Sequence, residues 1–310
     1  MTPALLLTSL LAASASGAQA PSPQKTPSPK APAMNAPANL EADVKAWHER
    51  RLANLTSEDG WLTLVGLHWL EPGENKFGSA EDNKLVFPPN APKRIGTFTL
   101  KGEEVTLAVE PGVALRKDGQ PFPGGVVKSD DKGRPDLLQL GSFRFLVIKR
   151  GEKYGVRVKD TEAETRRKFS GIPTFPVSAA WRLEAKWEPF PSPKKISVPN
   201  VLGTVEELPS PGTAVFTVNG TEYRLDPVLE GGDQKLFFIF WDETGKTDTY
   251  GAGRFLYADA PKDGKVVLDF NRAYNPPCAF THYATCPLPP KQNRLKGLRV
   301  EAGEKRYGDH

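Results

Sequence analysis

Residues 214–229 read AVFTVNGTEYRLDPVL. Apolar side chains recur on either side of Asn219-Gly220. Asn-Gly is the dipeptide that best accepts the positive φ angles of a two-residue hairpin turn. The stretch therefore predicts two antiparallel strands. The same pattern extends outward. Phe143, Phe145 and Val147 alternate, as do Tyr154, Val156 and Val158, with Gly151-Glu152 between them as a second turn. Val105, Leu107 and Val109 alternate in the same way. Further strands are expected at 181–187, 201–208, 255–257 and 266–270, with 298–300 closing the sheet. Residues 236–241 are apolar on both phases and predict a central strand.

One helix interrupts this pattern. Over 40–55, Leu40, Val44 and Trp47 recur at helical spacing and Leu52 and Leu55 continue the face. Glu41 and Asp43 lie near its start and Arg50 and Arg51 near its end, as the helix dipole prefers. Residues 61–70 are too apolar for a half-exposed strand and belong in the core. The helix periods of a βαβ series are missing. The 30 prolines and 28 glycines are aperiodic, which makes them turn punctuation and not collagen. The fold class that follows is mainly β: packed antiparallel sheets, sandwich-like, with an N-terminal helix and a long Pro-rich C-terminal loop.

The first residues, MTPALLLTSLLAASASGAQA, carry a short apolar run followed by small residues. They read as a signal peptide over 1–20, cleaved after Ala20 or after Ala15. Residues 21–38 are Pro, Ser, Lys and Ala and read as a disordered spacer. Residues 39–310 are expected to form one composite β-rich domain, with a sub-boundary near 189–193 where proline clusters. No cysteine follows the apolar run, and no stretch is long and apolar enough for a transmembrane helix. The expected location is outside the cytoplasm, periplasmic or secreted. The formal net charge is +4, and Lys25 and Lys30 of that balance lie in the spacer, so no nucleic-acid partner is expected. Nothing in the sequence sets the oligomeric state.

Known catalytic signatures are missing: no G-x-S-x-G, no P-loop, no H-E-x-x-H. His48, His68, His282 and His310 are the only histidines, and a zinc centre is not expected. No cofactor is expected either. The acidic run 242–248 reads as a tight hairpin turn in preference to a calcium loop. The densest polar stretch is 269–295, DFNRAYNPPCAFTHYATCPLPPKQNRL. Its prolines lower the entropy cost of fixing a loop, which suits either a preorganised site or a cover over a sheet edge. Cys278 and Cys286 are the only cysteines. In an exported chain they read as a disulfide; a metal pair or a free thiol nucleophile are the competing readings.

This stretch resembles the hallmark of the domain-of-unknown-function 1684 family of bacterial and archaeal proteins. So do Trp61-Leu62 with 66–70, then 155–160, 167–175 and 249–255. The resemblance implies no activity. It does single out Arg157, Asp160, Arg167, Arg254, Asp269, Asn271, Arg272, Tyr274, Asn275, Cys278, Cys286, Asn293 and Arg294 as positions of the recurring pattern. His282 stands where the family often has proline.

Three functions compete. The first is an exported binding protein for a small polar or anionic molecule, with Arg157, Arg167, Arg254 and Arg272 as planar donors. The second is an extracytoplasmic hydrolase using Asp160 or Asp269 with arginine and Tyr274. The third is a structural or interaction protein of the cell envelope. The site reading places Arg254, Arg272 and Tyr274 on one pocket, with Arg254 beside Asp269 on neighbouring strands joined through 261–264. The opposing reading makes each arginine a framework partner of Asp160, Asp269 or Glu304.

N-terminal sequencing of the mature protein is expected to start at Pro21 or at Ser16. A product that retains Met1 in the cytoplasm would contradict export.

Overall fold

The computed structural model describes residues 39–230 and 235–308. The expected signal peptide and spacer, and His310, lie outside the described residues. Helix α1, Leu40–Thr56, forms where the apolar spacing places it and buries Leu40, Val44 and Leu55. A single 3-10 turn, Trp61–Thr63, then leads into strand β1, Leu64–Trp69.

The first half of the chain builds two facing sheets. β2 (Gly73–Gly78), β3 (Gly96–Lys101) and β4 (Glu104–Val109) lie together in a five-stranded sheet. At one end of a six-stranded sheet, β6 (Lys153–Asp160) pairs with β1 on one side and with β5 (Phe143–Arg150) on the other. The expected turn lies between Arg150 and Lys153. Phe77, Phe98, Leu107, Phe145, Val156 and Val158 fill the core between the two sheets. Side chains of a strand alternate between faces. With Tyr154, Val156 and Val158 in this core, Arg157 must point away from it.

The second half runs through β7 (Arg182–Pro199), β8 (Val205–Val218), β9 (Thr221–Leu225), β10 (Leu236–Asp242), β11 (Arg254–Ala258), β12 (Lys265–Asp269) and the short β13 (Arg294–Leu295). One sheet has the order β9-β8-β7-β12, the other β11-β10-β13. Their shared core holds Trp181, Leu183, Phe216, Phe238, Phe240, Leu268 and Phe270. The Asn219-Gly220 turn closes β8 onto β9, with φ of 51° and 80°. β10 is central, as its two apolar phases require.

Four expectations change. The turn at 261–264 forms, with Asp263 and Gly264 at positive φ, but it delivers β12 to β7 and not to β11. The pairing buries Leu183 and Leu268, which neighbour each other in register. Residues 242–248 are no tight hairpin. Asp242 caps a 3-10 helix, Glu243–Lys246, by accepting from the Thr244 amide. Residues 298–300 form no strand; 294–295 pair with β10 instead. Finally, 201–208 is not one strand, because 200–204 make a turn and β8 runs unbroken from Val205. Across Pro189–Lys194, β7 continues with a break in register against β8.

Candidate functional site

Arg157 comes off β6, which lies between β1 and β5, with Leu67 and Leu146 as register neighbours. It is 9% exposed. Its Nη2 donates to Thr285 Oγ1 at 3.3 Å, and its guanidinium lies 5.2 Å over the Trp61 ring. Its Nε is buried and has no hydrogen-bond partner among the described residues. Among the described residues no carboxylate lies within salt-bridge distance of it. Burial, with help from neighbouring Arg150, pulls its pKa down to about 10. The group is still charged at neutral pH.

This guanidinium faces a cavity of about 560 Å³ between the two halves of the chain. Arg150, Arg157 and Trp61 form one wall, and Leu208, Phe237, Phe255 and Tyr257 another. Tyr274, Pro277, Thr285 and Cys286 come from the Pro-rich loop, and Arg51 from α1. The other two arginines already have partners. Arg150 Nη1 is 2.7 Å from Asp130 Oδ2, and Arg51 Nε is 3.2 Å from Glu304 Oε1. Arg51 also lies 4.6 Å over the Tyr274 ring and donates to the Asn275 carbonyl at 2.8 Å.

A second, larger cleft of about 920 Å³ lies beyond Tyr257 and Tyr274, which line both spaces. Their rings are near-parallel, with centroids 6.3 Å apart. Trp47, Arg182, Asp269 and Arg272 line the cleft. Asp269 Oδ2 stands 3.6 Å from both Arg182 Nη1 and Arg272 Nε, an ion-paired cluster too long for hydrogen bonds. Burial pushes the Tyr274 hydroxyl up, so it stays protonated.

The Pro-rich loop packs with 167–175 and 249–255: Ile172, Ala279 and Phe280 share a buried cluster, with Phe169 and Tyr250 against it. The model of the family described as Protein of unknown function (DUF1684) matches residues 167–305. That segment is a DUF1684 region. It contains the whole Pro-rich loop, while Trp61 and Arg157 lie before it. A solution structure of an uncharacterized protein from Haloarcula marismortui is 28% identical, covering 47% of this chain and 82% of that one, with a TM-score of 0.40. An FHA domain of FhaA, solved in complex with the intracellular domain of Rv3910, is 15% identical, covering 30% of this chain and 97% of that one, with a TM-score of 0.22. No curated protein matches the chain.

Most of the polar DUF1684 residues brace the fold. Arg254 does not reach the cavity or the cleft, and it does not pair with Asp269. It is 1% exposed, and its Nη2 sits 2.9 Å from Asp242 Oδ1 and 2.9 Å from the Val300 carbonyl. Asn271 ties both Ser178 backbone groups, at 2.9 Å each. Asn275 donates its amide to Glu304 and its side chain to the Lys305 carbonyl, both at 2.7 Å. Asn293 spans Asp226 and the Ile239 carbonyl. Asp160, outside the region, accepts from Asn90 at 2.9 Å and lines neither space. Arg167 is exposed at the end of the short helix Glu164–Arg167, and Arg294 is exposed over Trp241. Arg272 and Tyr274 do share the cleft, as expected. Arg51, Arg150, Tyr257 and Thr285 went unrecognised in the sequence. Arg51 carried only a helix-dipole signal, and the others carried none.

Cys278 and Cys286 are free thiols in the structure and not at disulfide distance. They are nonetheless adjacent: the Cys278 amide donates to Cys286 Sγ at 3.1 Å. The hydrogen bond between the two sulfurs and burial push the Cys286 thiol up, so it is neutral and supplies no counter-charge to Arg157.

Removing one member of a buried ion pair leaves the other unpaired, at about 3–5 kcal/mol. Arg254→Met is expected to lower stability by about that much. Urea denaturation checks this, and a loss below about 1 kcal/mol would remove Arg254 from the framework.

Proposed function

We propose that the chain is an exported protein that binds a small anionic molecule in the cavity at Arg157. The carrying observation is a buried, charged guanidinium that faces an open space and has no carboxylate partner among the described residues. Burying an unpaired charge costs several kcal/mol. An anion in the cavity would supply the missing partner, and the planar donors of arginine suit an oxyanion. The volume lies within the range of small-molecule sites. The hydrolase reading is less well supported, since Asp160 and Asp269 do not face each other across one cleft.

A buried arginine kept for a ligand should act on stability in the opposite sense to one kept for the fold. Arg157→Met is expected to be neutral or stabilising without ligand, by about 1 kcal/mol. It should also remove any rise in melting temperature that acetate, benzoate or phosphate gives the wild type. Thermal denaturation in each sodium salt checks both. Equal anion-induced shifts in wild type and Arg157→Met would overturn the proposal.

In the exported protein we further propose that Cys278 and Cys286 join as a disulfide. Their adjacency supports this, and closing the seven-residue interval would contribute roughly 2–3 kcal/mol by chain entropy. Mass spectrometry without reductant should find the pair two hydrogens lighter. Two alkylatable thiols in protein taken from its native compartment would contradict it.

A further inference from the structure

We infer that the anion held at Arg157 is the single carboxylate of a molecule whose other part is a planar ring seated on the Tyr257 wall. The inference rests on the anion-binding reading above and adds charge and shape to it.

The charge follows from the partners around the cavity. Three guanidiniums line it, and two are already neutralised, Arg51 by Glu304 and Arg150 by Asp130. Among the described residues, Arg157 is the one of the three with no carboxylate within salt-bridge distance. Glu206 and Glu230 also border the space. A dianion such as phosphate would bring a second negative charge that meets no free guanidinium, beside two carboxylates already on the border. A carboxylate matches one free guanidinium in both charge and planarity.

The shape follows from what the chain leaves uncovered. A lone carboxylate and its hydration fill only a small part of about 560 Å³. The rest of the wall is aromatic. Tyr257 is 39% exposed, unusual for a ring within a core-forming strand pair. It stacks on Phe237 with centroids 4.7 Å apart and lies near-parallel to Tyr274. Its hydroxyl donates to Glu230, which fixes the ring's orientation. Trp61, under the Arg157 guanidinium, continues the aromatic surface towards the charge. An aromatic wall ending at one unpaired cation matches a ring that carries one acid group. Aromatic pairing adds about 0.5–1.5 kcal/mol beyond area, enough for roughly a tenfold preference.

Isothermal titration of the full chain with acetate, phenylacetate and phenyl phosphate tests it. Phenylacetate is expected to bind about tenfold tighter than acetate, and tighter than phenyl phosphate. Tyr257→Ser should shrink the ratio between phenylacetate and acetate, and Tyr257→Phe, which keeps the ring, should preserve it. Equal affinity for acetate and phenylacetate, or tighter binding of phenyl phosphate, overturns this inference and leaves the anion site standing. Binding of none of the three, or binding that survives Arg157→Met, overturns both.

Discussion

Residues 298–302 lie in no strand, and a buried arginine takes up the carbonyls of Val300 and Ala302. Arg254 projects from β11 and gives its donors to Asp242 and to the carbonyls of Val300 and Ala302. Asp242 in turn accepts from the Val300 amide at 2.8 Å and from Thr244. A buried ion pair is a poor source of net stability compared with a hydrophobic pair of the same volume. What it adds here is direction. The planar fork of a guanidinium accepts one arrangement of backbone carbonyls and rejects others. Backbone polar groups taken out of water must find partners, and this network provides them for an irregular segment.

The cavity depends on that anchor. With 300–302 fixed, the Glu304 amide reaches the Ala273 carbonyl at 2.8 Å. Its carboxylate is then placed to take both the Asn275 amide and Arg51. Arg51 lies over the Tyr274 ring and holds α1 against the Pro-rich loop. Tyr274 exchanges two backbone hydrogen bonds with Phe255, each 2.9 Å, which sets it beside Tyr257. The partition between cavity and cleft is thus several steps removed from the ion pair that positions it. The steps are hydrogen bonds among buried and half-buried groups, with one cation–π contact, Arg51 over Tyr274.

The strands and two of the turns were legible because they rest on local signals. A period of two and an Asn-Gly or Gly-Glu dipeptide need no distant partner to be read. The partner of β12 was not legible. Its turn at 261–264 fixes a reversal only, and the burial of Leu183 against Leu268 decides which strand receives it. The run from Asp242 to Asp248 read as a tight hairpin turn because its acidity was visible and its partners were not. Asp242 acquires its role only when β11 and the segment at 300 converge on it. The density of polar residues at 269–295 was misleading in a similar way. Asn271, Asn275 and Asn293 are there because a loop without a ladder needs side chains to satisfy backbone groups. Polarity in that loop therefore measures missing sheet more than it measures ligand chemistry.

Arg157 and Arg254 illustrate why residue type alone could not find the site. Both sit on strands with apolar neighbours, and both are withdrawn from water. Arg254 meets a carboxylate and backbone carbonyls; Arg157 meets one hydroxyl and the face of an indole. The chain cannot relieve Arg157 by sliding its strand. A shift of one residue would turn Tyr154, Val156 and Val158 out of the first core, and β6 is held on both edges by β1 and β5. The position of the guanidinium is therefore dictated by a core it does not touch. Its cost is imposed by the fold and is already present before any anion arrives. A charge held in this way needs no rearrangement to meet an oxyanion, and that preorganisation is the property a binding site requires.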